Sequence, residues 1–530
     1  MTIDIADSAS ADHPAQSRPA ETPSETRDLS VIVVGAGFGG LGVARELKQA
    51  GVDRFLILEE NPQVGGVWWD NTYPGANCDV PSHLYSYDFD PWRDDAVRYP
   101  DQRAILDYLR GIADRHGLRP HLRLNTAVAA ATYCDDDGRW TITTRRGDTY
   151  RADHVVWAVG QLHRPYIPDI LGRAEFEGAA FHSARWDHSV EWAGRNVAVI
   201  GTGSSGAQIV PELARTAARV TVYQRTPAWI LPKPAQRFGP VTRWILGHVP
   251  GAHRLYRAGL YHGADLVLAP IMRGGWSARP AAWAARAHLR RQVPDPALRS
   301  KLTPRYRIGE KRILLADEFY PALMQPHVEL VTDPIARITA DGIRTADGTD
   351  RHADVIVYAT GFRAPELLGG IKILGRNGVN LHNWWARAGR PEAFLGLAVP
   401  GFPNMYMIAG PNSFTPANSN PAIKALQARY IIRCLQLSAR LGSPIEVTSP
   451  AMAAYRGWLD NAIADTVWPT GVPTWFKRTD GEVTNPWPGT AAQFDRMTGQ
   501  DPAASFAAAP RPQPPRTQPT LSAPAGKQLA

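Results

Sequence analysis

Two glycine-rich turns of the same spelling, each set between an apolar β-branched run and a helix pattern, predict an α/β chain. The expected fold is two Rossmann-like dinucleotide-binding domains with a helical insertion in the second. A shared spacing supports this: the first glycine of each turn is equally far from a charged residue closing a second apolar run, 35 to 59 and 201 to 225.

The first unit opens with the strand-like run Leu29–Val34, then Gly35-Ala36-Gly37-Phe38-Gly39-Gly40, a helix pattern over Leu41–Ala50 closed by Gly51, and a strand Phe55–Leu58 ending at Glu59. Gly35, Gly37 and Gly40 suit a tight turn whose backbone approaches a pyrophosphate at the helix N-terminus, and Glu59 suits a ribose hydroxyl pair. The alternative is a glycine-rich turn without a ligand. The second unit repeats the grammar: Asn196–Ile200, then Gly201-Thr202-Gly203-Ser204-Ser205-Gly206, a helix over Ala207–Thr216 whose Gln208 is expected with that loop to contact the cofactor, and Val220–Gln224. It ends in Arg225-Thr226 rather than an acid. A guanidinium pairs bidentately with a phosphate on the ribose. The first site is thus expected to hold an unphosphorylated adenosine and the second NADP(H). A solvated surface charge is the plain alternative for Arg225. Two dinucleotide sites in one chain imply electron transfer, and a nicotinamide feeding hydride to a flavin is the usual pairing.

Two further runs, His154–Val159 into Gly160-Gln161 and Val355–Tyr358 into Ala359-Thr360-Gly361-Phe362, read as buried strands ending in small-residue turns close to a cofactor. The intervals suggest discontinuous domains: a first part at 29–165, a second domain at 166–390, and a closing part at 391–500 with a helix over Ala422–Leu441. Residues 1–28 read as a disordered arm and 501–530 as a flexible tail. The insertion, 240–305, has helix-like stretches and eleven Lys/Arg against Asp265 and Asp295, a net of +9 where the whole chain has +8. It reads as a solvated helical cap, with attraction of anionic NADPH or of a membrane surface as alternatives. No nucleic-acid module accompanies the charge. Cys78, Cys134 and Cys434 are isolated, which excludes a disulfide framework, a CxxC pair and a cysteine-based metal site. No apolar run approaches the ~18 residues of a membrane span and no signal pattern opens the chain, so a cytoplasmic protein is expected. Oligomeric state is not readable.

Three more segments carry a resemblance. Phe176-Glu177-Gly178-Ala179-Ala180-Phe181-His182-Ser183-Ala184-Arg185-Trp186-Asp187 resembles the FxGxxxHxxxW(P/D) fingerprint of type I Baeyer–Villiger monooxygenases. Gly66 through Asp79, with Trp68, Tyr73-Pro74-Gly75 and the closing acid, is similar to that family's GxWxxxx(F/Y)PGxxxD motif, and Gly309-Glu310-Lys311-Arg312-Ile313-Leu314-Leu315 resembles the segment carrying its active-site arginine. The resemblance covers about residues 29–495 and implies FAD in the first domain and NADPH in the second. It further implies that NADPH reduces FAD, that O2 adds to give a C4a-peroxyflavin, and that a ketone becomes an ester or lactone.

On this resemblance Arg312 stabilises the peroxide anion and Asp79 orients Arg312. Lys311 meets the 2′-phosphate, Trp68 and Tyr85 pack the flavin, and Trp475 lies near NADP and substrate. Other readings stay open: a cap or structural ion pair for Asp79, an exposed basic pair for Lys311 and Arg312, core packing for Trp68 and Tyr85. His182, on the inter-domain connection with Phe176, Gly178, Trp186 and Asp187, reads as a conformational residue ahead of a general base. One segment departs from the family pattern. Where many relatives carry GPNTGLGHNS, this chain has Gly410-Pro411-Asn412-Ser413-Phe414-Thr415-Pro416-Ala417-Asn418-Ser419-Asn420, which leaves the substrate class open. An N- or S-hydroxylating flavin monooxygenase is the competing expectation. The isolated cysteines speak against a disulfide reductase, and the presence of both Asp79 and Arg312 speaks against a binding-only protein.

Overall fold

The computed structural model describes residues 28–92 and 96–510. Two sheets organise it. The first runs in the order Lys372–Leu374, Val128–Cys134, Arg139–Thr144, Thr149–Trp157, Asp28–Val34, Phe55–Leu58, Leu122–Arg123, with Met405–Met407 also paired to Thr149–Trp157. Its central pairs are parallel, Val31–Val34 against Phe55–Leu58 and against His154–Trp157. The second sheet is wholly parallel: Val328–Val331, Arg219–Tyr223, Asn196–Ile200, Val355–Tyr358, Ala179–His182.

Strand alternation divides each sheet between two cores. Val31 and Val33 face a cluster shared with Leu41, Ala44 and Leu47 of the helix Phe38–Gln49 and with Ile423 and Ile431 of the helix Asn420–Leu441. Ile32 and Val34 face the opposite cluster with Trp140 and Trp157. In the second sheet Val197 and Val199 join Ile209 and Leu213 of the helix Ser204–Leu213, while Ala198 and Ile200 face the other way.

The internal echo extends to the hydrogen bonds. Gly35 N donates to Leu58 O at 2.7 Å and Gly201 N to Tyr223 O at 3.0 Å; Ala158 N donates to Val34 O at 2.8 Å and Ala359 N to Ile200 O at 2.9 Å. Both glycines are left-handed, φ 102° and 111°. A Cβ at either would lie 2.6 Å from Ala158 O or 2.4 Å from Ala359 O, so only glycine lets the strand ending at Trp157 or Tyr358 pass over the loop.

Three boundaries differ from the sequence expectation. Lys372–Leu374 pairs with Ala130–Thr132 of the first sheet, so the chain has returned there before residue 390. The tail expected from 501 begins later, because Phe506–Ala508 forms an antiparallel pair with Ile445–Val447. The burial of Phe506 in the first core supplies the reason. The arm expected at 1–28 ends one residue earlier, since Asp28 already pairs with Arg151, and 1–27 and 511–530 lie outside the described residues. The insertion holds the helices Pro240–His248, Ala252–Gly263, Ala278–Gln292 and Pro296–Leu302, as its pattern predicts. No helix of the described residues is long and apolar enough to cross a membrane.

Candidate active site

The first glycine loop is tied to its acid. Glu59, buried, accepts from Ala36 N at 2.6 Å and Asn61 N at 2.9 Å. Burial pushes its carboxyl up to about 7 against those two bonds. In this geometry the carboxylate braces the loop's own backbone, which sets the edge where a ribose would lie. Gly37 and Gly203 each precede a helix whose N-terminus carries no side-chain cap, leaving backbone N–H groups free for an anion. The two loops differ at this second glycine. A Cβ on Gly37 would lie 3.4 Å from Gly66 Cα, whereas one on Gly203 meets nothing within 4 Å. The third glycines, Gly40 and Gly206, are held by loop closure: a Cβ would lie 1.8 Å from Gly35 O or 2.1 Å from Gly201 O.

At the end of the second unit, Thr202 Oγ1 is 3.5 Å from Gln224 Oε1, and Gln224 Nε2 donates to Lys301 O at 2.9 Å. Arg225 is exposed and, among the described residues, without an ion pair, and Thr226 follows it half-buried. Lys311 lies over the Tyr306 ring at 5.3 Å. Burial, then the nearby positive charges of Arg225 and Lys477, lower its pKa to about 8. Lys477 is buried and donates to Thr470 O at 2.6 Å and Trp468 O at 3.1 Å. Arg225 and Lys477 thus place positive charge beside Lys311, and the buried Glu310 offsets part of it. The sequence assigned Lys477 no role, although it stands two residues after Trp475.

Arg312 next door makes a two-point contact with Asp79, Nη2–Oδ1 2.5 Å and Nε–Oδ2 3.3 Å. Burial works to discharge the guanidinium, but the Asp79 carboxylate outweighs it and holds the Arg312 pKa above its ordinary value. Lys233, another residue the sequence reading missed, donates to Asn77 Oδ1 and lies over Tyr99 at 5.1 Å. Burial lowers its pKa, opposed by the Asp79 charge. Trp68 Nε1 donates to Tyr85 Oη at 3.1 Å, and Tyr85 packs edge-on against Phe38 of the first loop at 5.1 Å. Trp475 packs edge-on against Phe414 of the divergent loop at 4.9 Å.

The segment 66–79 and the inter-domain fingerprint meet. Asp70 pairs with Arg185 at 3.1 Å and Thr72 Oγ1 lies 2.8 Å from His188 Nε2. Gln208 belongs to this join: Tyr73 Oη donates to its Oε1 at 3.0 Å and its Nε2 donates to Asn77 O at 3.1 Å. Its amide thus spans the two domains. Ser204 and Ser205 open the same helix. His182 has both ring nitrogens engaged, Nε2 with Gly361 O at 2.9 Å and Nδ1 accepting from Ala184 N at 3.1 Å. Burial lowers its pKa to about 4. A neutral ring with no free lone pair is a positioning element, not a base. Gly178 is fixed by packing, since a Cβ would lie 2.5 Å from Asp354 O and 2.6 Å from the half-buried Phe176 ring. Trp186 is buried between Phe181 and Trp192, and Asp187 turns onto Ser189 N at 2.9 Å.

Two matched nucleotide units with an arginine–carboxylate pair beside them define a two-cofactor oxidoreductase. A family model described as pyridine nucleotide-disulphide oxidoreductase matches residues 32–250. The three cysteines are free, so that model describes the scaffold and not a cysteine chemistry. A Baeyer–Villiger monooxygenase of Streptomyces coelicolor is 39% identical over 89% of this chain and 91% of its own length. The phenazine N-monooxygenase PhzNO1 of Lysobacter antibioticus is 30% identical over 84% of this chain and 90% of its own. The crystal structure of cyclohexanone monooxygenase from Rhodococcus sp. Phi1 bound to NADP+ superposes with a TM-score of 0.81 at 28% identity, covering 91% of this chain and 99% of that one. The chain belongs to the Baeyer–Villiger monooxygenase family of flavin-dependent enzymes.

Proposed function

We propose that this chain is an NADPH- and O2-dependent FAD monooxygenase that converts a ketone to an ester or lactone. FAD would be held by Gly35, Gly37, Gly40 and Glu59 with Trp68 and Tyr85, and NADPH by Gly201–Gly206 with Arg225, Thr226 and Lys311 on its 2′-phosphate. The uncapped helix N-termini, the open face of Gly203 and the three-cation cluster fit these groups. Bound FAD supplies the two-electron relay from NADPH to O2. The protein does the rest. Arg312 brings a permanent positive charge to the site of oxygen chemistry, Asp79 fixes its fork, and the aromatic wall of Trp68, Tyr85, Phe414 and Trp475 keeps water out. Trp475 would lie near NADP and substrate. The free thiols and the need for a reduced NADPH pool support a cytoplasmic setting.

The observation that carries this reading is the Arg312–Asp79 pair. Its test is Arg312→Ala. NADPH should still reduce the flavin anaerobically at a comparable rate, while the oxygenation rate falls by ~10²–10³ and H2O2 replaces product per NADPH consumed. Retention of coupled turnover would make Arg312 structural. The phenazine N-monooxygenase relative and the divergent loop favour N-oxygenation of an aromatic N-heterocycle as the second reading. A panel of ketones and aromatic N-heterocycles, scored by coupled product, separates the two.

A further inference from the structure

The helical insertion carries a surface that the nucleotide sites and the arginine pair leave unused. Ten of the fifteen large apolar side chains exposed among the described residues lie between Val241 and Trp283. On the helix Pro240–His248, Val241, Trp244 and Ile245 share one face, while Leu246 is buried on the other. Trp244 is 59% exposed, Leu255 on the next helix 77%, and Trp276 65%. Beyond that helix, Leu266 also turns outward.

The segment 240–294 carries many arginines and a single acid. Arg243, Arg254 and Arg279 are exposed and, among the described residues, in no ion pair, while Arg273, also exposed, donates to Pro488 O at 3.2 Å. The only acid between 240 and 294 is Asp265, and it turns inward. Its oxygens accept from Asn418 Nδ2 at 2.8 Å, Ala491 N at 2.9 Å and Ala492 N at 2.8 Å. A solvated cap needs no exposed tryptophans, and a face for NADPH alone needs no aliphatic stripe. Arginines interleaved with Trp, Leu, Ile and Val on a helical surface are the composition of a face that lies in a bilayer interface. A second copy would set these arginines against one another.

We propose that this face, Val241 to Arg279, docks the enzyme on the surface of an anionic lipid bilayer without crossing it. The face connects to the divergent loop through Asn418, one of its residues, whose Nδ2 also donates to Tyr261 O at 3.0 Å. Docking would therefore place that loop near apolar molecules dissolved in the membrane.

The test uses the FAD-loaded full chain in vesicle flotation at low salt. The protein should float with vesicles of phosphatidylcholine containing about a third phosphatidylglycerol, not with phosphatidylcholine alone, and salt should release it. Arg243→Glu with Arg254→Glu should weaken binding more than the about fivefold expected for each lost arginine, equivalent to ~1 kcal/mol apiece. Trp244→Ser with Ile245→Ser leaves the charge unchanged and should weaken it at least about tenfold. NADPH oxidation in free solution should stay at the parent level in both variants. Three results overturn the proposal: no flotation with anionic vesicles, flotation indifferent to the Trp244/Ile245 variant, or a concentration-dependent dimer in light scattering that the same variant abolishes.

Discussion

At the scale of single residues, the cation cluster makes the most direct statement about nucleotide choice. Lys311 is held at a pKa of about 8 by burial and by Arg225 and Lys477. In the free enzyme it therefore loses its charge as pH rises through about 8, where an ordinary lysine keeps it past 10. A nucleotide 2′-phosphate needs that charge, so the NADPH KM should climb above about pH 8 while the weaker NADH KM stays flat. Lys311→Arg, which does not titrate there, should move the climb out of the measurable range. A KM profile unchanged by Lys311→Arg would place the phosphate elsewhere. Arg225 and Lys311 were legible in the sequence because each ends or sits in a motif. Lys477 was not, because nothing in a sequence shows a loop from the end of the chain folding onto residue 311. Lys233 had no sequence signal at all. Its relation to Asn77 exists only through the packing of two domains.

At the scale of elements, the two glycine loops show what spelling conveys and what it conceals. Both were recognisable, and both close on a strand that the sequence placed next to them. Their second glycines read alike, as sites where a methyl would block a pyrophosphate. Yet Gly37 abuts Gly66 while Gly203 opens on free space. Gly203→Ala should accordingly leave the melting temperature within about a degree and raise the NADPH KM, because only a ligand's approach is obstructed. Gly206→Ala puts a methyl against Gly201 O and should cost several kcal/mol of stability, seen as a lower midpoint in denaturant titration. If both variants lose stability alike, the second loop is built for packing and not for a nucleotide. Element ends were the least legible. Phe506–Ala508 belongs to a strand because burial of one phenylalanine outweighs a Pro/Ala-rich context that looks like a tail.

At the scale of the whole molecule, the segment 66–79 joins the two domains by its contacts with the end of the 176–187 signature and with the helix Ser204–Leu213. Some of these contacts are weak. Arg185–Asp70 has an arginine half open to solvent, and such a pair contributes ~0.2–1 kcal/mol. Gln208 is different: its amide accepts from Tyr73 and donates to Asn77, and two such bonds contribute ~1 kcal/mol each. Asn77 lies two residues from Asp79, so a shift of the helix Ser204–Leu213 is expected to reach the carboxylate that orients Arg312. Gln208→Ala should therefore keep FAD and NADPH binding and lower the product formed per NADPH consumed, with H2O2 as the balance. Arg185→Ala should leave that ratio nearly unchanged. Measured side by side, equal and undiminished coupling in both variants would mean that the join rests on backbone packing instead. There Gly75, at φ 81°, lies so close to the helix that a Cβ would stand 2.6 Å from Gln208 O, and Gly75→Ala becomes the substitution that separates nucleotide binding from oxygenation.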